Sequence, residues 1–242
     1  MKDRGRDRLR LALAAAAASA VLLTGPALAA GTAGSDPAKD AAERALDVYR
    51  GFVPWEDFGF ASQEELRDAV VAEGVPVFRL DPSALDGRLH RLGDAIRDVR
   101  LVEFVIAGGD RAVTRLTLRR TEDGYERVGF GGDGEHLRRG LSLLPAPEGA
   151  RLVLLGPAEF LYWSGEEAEY LVNINGFALA GLEPLRLYTP EEALPGLRQY
   201  ARGLLGLPDE PGLPPAAAWT LAATGALFVG WVVHGFWQIA RR

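Results

Sequence analysis

The chain has 242 residues, is 48% hydrophobic and 25% charged, and carries a net charge of −6. That suits one globular body of ordinary size with apolar end segments. It contains no Cys, which excludes thiolate catalysis, Cys–zinc centres, disulfides and lipid attachment through an N-terminal Cys. Residues 31–240 hold 31 acidic and 20 basic side chains, a net of −11, which argues against nucleic acid and anionic lipid as partners.

In chain order, Arg4, Arg6, Arg8 and Arg10 precede a 13-residue apolar run at 11–23. Gly25-Pro26 breaks the run, and Ala27-Leu28-Ala29 is a small-x-small cleavage pattern. Together they predict a secretory signal over residues 1–29, followed by a flexible leader at 30–39. Ala42, Ala45, Leu46 and Tyr49 then share one helical face, with Gly51 as the stop. The aromatic-dense stretch at 52–60 offers Trp55, Phe58 and Phe60 as a ligand-binding lip. Apolar packing over the core is the competing and more ordinary use of such rings.

Ser62 with Glu65 reads as a capping box, opening a helix to about residue 73 that Gly74 closes. Residues 76–80 read as a short strand, and Asp81-Pro82 as the start of another helix with Leu85, Leu89, Leu92 and Ile96 on its apolar face. Strands are expected at 101–107, 111–119 and 125–128, joined by tight Gly turns at Gly108-Gly109-Asp110 and Glu122-Asp123-Gly124. In the second of these, Ala112, Thr114, Leu116 and Leu118 alternate with Val113, Arg115, Thr117 and Arg119, the pattern of an antiparallel meander with one wet face.

Gly129-Phe130-Gly131-Gly132-Asp133-Gly134 matches GxGxxG. A dinucleotide site needs that motif after a buried parallel strand; here the preceding strand is short, half polar and antiparallel by pattern, so a plain strand-to-helix turn is expected. The helix that follows has Leu137, Leu141 and Leu144 on one side. Residues 151–155, 159–163 and 168–174 read as strands, with an acidic hairpin tip at 164–167 and a last short strand at 185–188. Thr189-Pro190-Glu191-Glu192 caps a final helix that Pro195 must kink or delay. A shared Pro-x5-Pro layout at 76–82 and 184–190 hints at a duplicated half.

Four prolines within residues 206–215 predict a semi-rigid stalk. Residues 216–239 carry no Asp, Glu, Lys or Arg, with Trp219 and Trp237 near either end. About 20 apolar residues cross a bilayer, so residues 216–240 are expected to span the membrane once, with a cytoplasmic tail at Arg241-Arg242. Ala218, Ala222, Ala226 and Gly230 recur every four residues, a small-residue face suited to self-association or to another envelope protein's helix. An apolar span ending in Arg resembles the sorting signals of surface proteins. The LPxTG pentapeptide is missing (the nearest text is Leu207-Pro208-Asp209-Glu210), so covalent transfer to a wall is not expected.

Catalytic motifs are sparse. No Ser sits in a GxSxG turn, Lys occurs at positions 2 and 39 alone, and His90 and His136 have no ligand spacing between them. The densest carboxylates are Glu56, Asp57, Glu166, Glu167 and Glu169, all at or near expected turns. No catalytic residue, metal or cofactor is assigned. The expected architecture is an α+β domain at 40–205, an antiparallel meander-type sheet packed with amphipathic helices, plus one C-terminal transmembrane helix. The functional expectation is a membrane-anchored extracytoplasmic binding, sensor or accessory module without catalysis of its own. The alternative is an extracytoplasmic hydrolase using carboxylates and His136.

Overall fold

The computed structural model describes residues 36–86, 89, 91–179 and 181–207. The expected signal, stalk and span, including Ala218, Ala222, Ala226 and Gly230, lie outside the described residues, as does His90. Among the described residues no helix is long and apolar enough to cross a membrane.

The body at 37–207 is α+β. Helix α1 (Pro37–Phe52) lays Ala38, Ala41, Ala42 and Leu46 on the core, the face expected from its spacing. The expected helix at 62–73 is cut short to α2 (Gln63–Asp68), and β1 (Val70–Leu80) follows at once. Ser62 still caps, accepting from the Glu65 N–H at 3.1 Å, while the Glu65 carboxylate accepts from the Ala61 N–H. Ala69 already has extended backbone, because Val70-Val71 and the residues beyond belong to a central strand paired on both sides. Gly74 is therefore no helix stop; it lies inside β1 against the Phe104 ring.

The expected helix after Asp81 is replaced by two 3₁₀ turns, Pro82–Asp86 and Leu92–Ala95. Asp81 caps the first through the Ser83 N–H at 2.9 Å. Leu85, Leu92 and Ile96 still reach the core, but Ile96 does so as the first residue of β2 (Ile96–Gly108). The second turn is held by the buried Glu169 carboxylate, which accepts from the Leu92 N–H at 3.0 Å, Arg91 Nε at 3.0 Å and Tyr162 OH at 2.8 Å. Three donors on one carboxylate satisfy the buried charge, and burial pushes the Tyr162 hydroxyl up to about 12.

β3 (Arg111–Thr121) and β4 (Gly124–Phe130) complete a first antiparallel meander. Helix α3 (Gly134–Ser142) follows, with Leu137 and Leu141 buried as expected. β5 (Arg151–Leu155), β6 (Ala158–Ser164), β7 (Glu169–Asn173) and the two-residue β8 (Leu187–Tyr188) form a second meander. Helix α4 (Pro190–Leu204) closes the body; the Thr189–Glu192 capping box starts it immediately, so Pro195 does not delay it.

The meanders join into one eight-stranded sheet, β4-β3-β2-β1-β5-β6-β7-β8. The joint is a short parallel ladder, Val77–Arg79 against Leu152–Leu154. The sheet is thus mixed, where an antiparallel one was expected. The Pro-x5-Pro segments are not equivalent either: one ends β1 and enters a 3₁₀ turn, the other spans β8 and enters α4.

Strand alternation separates two faces. One carries Phe104, Ile106, Leu116 and Leu118 under α1, and Val153, Phe160, Tyr162 and Leu171 under α4. The other carries Val75, Val77, Val105, Leu152, Leu161 and Val172 under α3. β3 therefore has no wet face along its middle: Thr114, Arg115 and Leu116 are all buried.

Candidate functional site

The α3 face is concave. β3 and β6 are four strand steps apart, about 19 Å on a flat sheet. Yet Gly134 abuts the Thr114 backbone on β3, and Gly140, about 9 Å further along the helix, abuts Leu161 on β6 and Ile174. The sheet coils around α3, which fills its concave face, and a polar cluster lies at the edge of that face beside the helix N-terminus, here called the mouth.

Arg115 from β3 is the centre. Its guanidinium donates to Glu159 of β6 through both terminal nitrogens, at 2.8 and 3.3 Å. Its Nε lies 3.1 Å from Glu103 Oε1, an ion pair without hydrogen-bond alignment. Arg115 and Glu103 side chains are 11% and 12% exposed and Glu159 28%, so the cluster grades from buried to wet. Burial pushes the Glu103 carboxyl up to about 7, against the pull of Arg115 and with the Glu159 charge adding to the rise. Burial opposes the Arg115 charge, but Glu103 and Glu159 prevail and hold the guanidinium above its ordinary value.

The GxGxxG segment builds the rim, as a strand-to-helix turn after the antiparallel strand β4. Gly131 and Gly132 have φ of 138° and 102°, a region that side chains disfavour. Gly131 N–H donates to the Arg115 carbonyl at 2.9 Å. A Cβ on Gly132 would lie 2.7 Å from Arg115 Nε, so the turn presses on the guanidinium. Asp133 caps α3 through the His136 N–H at 2.9 Å and also pairs with His136 Nδ1. Burial would raise the Asp133 carboxyl, but its hydrogen bonds with His136 hold it below the usual range.

Asn175 supplies the far rim. Its side-chain oxygen accepts from the Glu159 N–H at 3.1 Å and its amide donates to the Glu159 carbonyl at 2.9 Å. Asn173, fully buried, accepts from the Asn175 N–H at 2.9 Å and so fixes that loop. Phe177 beyond it is 51% exposed.

Of the residues singled out from sequence, His136 stands on this mouth. Phe60 is buried in the core under α1, Trp55 and Phe58 pack against the same cluster, and Phe58 meets Phe130 at 4.8 Å between centroids. Glu56, Asp57, Glu166 and Glu167 are exposed, whereas Glu169 anchors the 3₁₀ turn. Glu103, Arg115, Glu159 and Asn175 were not singled out. Glu103 had a signal, a lone carboxylate inside the apolar run Leu101 to Ala107, and hairpin register about Gly109 sets Arg115 diagonally across from it. Glu159 had none, since its partner is four strands away. Among the described residues no group of three acidic or His side chains is placed to hold a metal ion. No family model, curated protein or solved structure matches this chain.

Proposed function

We propose that this protein is a membrane-tethered extracytoplasmic binding module that takes a cationic segment of another envelope protein at the concave mouth. One observation carries the reading: polar groups from β2, β3, β6, the α3 N-terminus and the 173–177 loop converge in one partly exposed cluster beside a face that α3 packs with apolar side chains. Convergent polar groups at an apolar hollow are the usual mark of a ligand site. Glu103, Glu159 and Asp133 outnumber Arg115 there, and the acidic body steers cations towards it. The signal at 1–29, the stalk at 206–215 and the span at 216–240 would hold the module at the outer membrane surface.

The test is fluorescence anisotropy of full-length protein in mild detergent with labelled Lys/Arg-rich peptides and Glu-rich peptides of matched length. Preference for the basic set, weakened in Asn175→Ala, is expected. Equal binding of both sets, or none, overturns the reading. The hydrolase alternative keeps one supporting observation, a His136–Asp133 pair at the edge of a cluster that also holds a carboxyl shifted towards neutrality. Turnover of a glycoside or ester substrate panel that His136→Asn abolishes would favour it.

A further inference from the structure

The geometry points to a proton-controlled latch: Glu103 and Glu159 compete for the single guanidinium of Arg115, and protonation of Glu103 hands that guanidinium to Glu159, tightening the bridge between the two meanders. This rests on the binding reading for its purpose, though not for its mechanics. Arg115 and Glu103 sit in the first meander, on β3 and β2, whereas Glu159 sits in the second, on β6. The ion pair to Glu159 therefore ties one half of the body to the other across the hollow, while the ion pair to Glu103 stays within one half. A proton on Glu103 removes the internal competitor and leaves Arg115 and Glu159 as an isolated pair.

The charged surroundings are few. Arg115 faces Glu103 from β3 and Glu159 faces it from β6; Asp133, on the turn before α3, acts on Arg115, and His136 of α3 pairs with Asp133. From β1 the register partner of Glu103 is the uncharged Val75; on α3, Glu135 and Arg138 pair with each other and His136 with Asp133, and the charges that act on Glu103 itself are those of Arg115 and Glu159. Burial already sets the Glu103 carboxyl near the acidity of ordinary surroundings. In mild acid the cluster loses one negative charge and Glu159 is held more tightly by Arg115, so both changes weaken capture of a cation.

Backbone amides on both rims report the latch: Gly131 N–H, bonded to the Arg115 carbonyl, and Glu159 N–H, bonded to Asn175. Hydrogen exchange of full-length protein in detergent, corrected for intrinsic rates, would be followed between pH 5.5 and 8. Protection of these amides should rise at least about fivefold towards acid in the wild type, the lower end of typical coupling between sites. Glu103→Gln should hold the acid-level protection at every pH, Glu159→Gln should hold the alkaline level, and His136→Asn should keep the wild-type response. A pH response unchanged in Glu103→Gln, or lost in His136→Asn, overturns the latch. Peptide affinity measured on the same samples separates the two ideas: a working latch without basic-peptide binding sinks the binding reading alone.

Discussion

Arg115 is one cation held between two carboxylates in a site that excludes most water. Removing one member of a buried charge set strands the others, which costs about 3–5 kcal/mol, while replacing the whole set with apolar groups is often neutral. Arg115→Met should therefore lower stability by about that amount in urea denaturation at pH 7.5, and Arg115→Met combined with Glu103→Leu and Glu159→Met should recover most of it. Glu103 alone gives a pH prediction with a definite sign. Its folded-state acidity constant lies at about 7, above the ordinary 4.5, so the folded form holds the proton more tightly between those values. The resulting stabilisation is full below 4.5 and is lost as pH rises through 7. Glu103→Gln keeps a neutral group throughout, so the wild type should fall relative to this variant between pH 5 and pH 8, by up to about 3 kcal/mol at 1.36 kcal/mol per unit. A constant difference across that range would mean Glu103 is not the buried acid.

At the scale of elements, α3 decides whether the hollow exists. Gly134 sits at its first turn with room for a hydrogen and no more: a Cβ would stand 2.6 Å from the Thr114 carbonyl oxygen, a backbone atom that cannot swing away. Gly203 in α4 has nothing within 4 Å. Gly to Ala in an open helical site gains about 0.5–1 kcal/mol, whereas overpacking costs about 1–3 kcal/mol. Gly134→Ala should thus lower the thermal midpoint and Gly203→Ala should raise it, both read by circular dichroism. These elements were legible because their signals are local: the Asp133 cap, the Leu137/Leu141 spacing, the Thr189–Glu192 capping box and the Gly109 hairpin all lie within a few residues of what they specify. The early end of α2 was not legible, since Val70 and Val71 extend to meet Ala107 and Ile106 of β2, more than 30 residues further along the chain. Nor was the loss of the helix after Asp81, because the carboxylate that pins Leu92 comes from Glu169.

At the scale of the whole molecule, two local meanders were readable but their joint was not. The Val77–Arg79 ladder with Leu152–Leu154 is short and parallel, and nothing near either strand announces the other. Because that ladder is the covalently distant seam, the coiling that brings Glu159 to Arg115 was equally hidden, and with it most of the candidate site. The same seam makes the compartment matter. A latch on Glu103 responds to the medium bathing the mouth, so its purpose depends on the compartment the body occupies. We propose, from the basic start and apolar run at 1–23, the charge-free stretch at 216–239 and Arg241-Arg242, that the body lies outside and the tail inside. In intact spheroplasts expressing the full chain with an epitope after Arg242, added protease should destroy the body and spare a short membrane fragment that keeps the epitope. Loss of the epitope with survival of the body would invert the topology and leave Glu103 sampling the buffered cytoplasm, where a latch set near neutrality would rarely be thrown. Loss of neither would place both on the inside and remove the tethered-surface reading, while the exchange experiment on the latch would stand unchanged, since the Arg115 competition is internal to the fold.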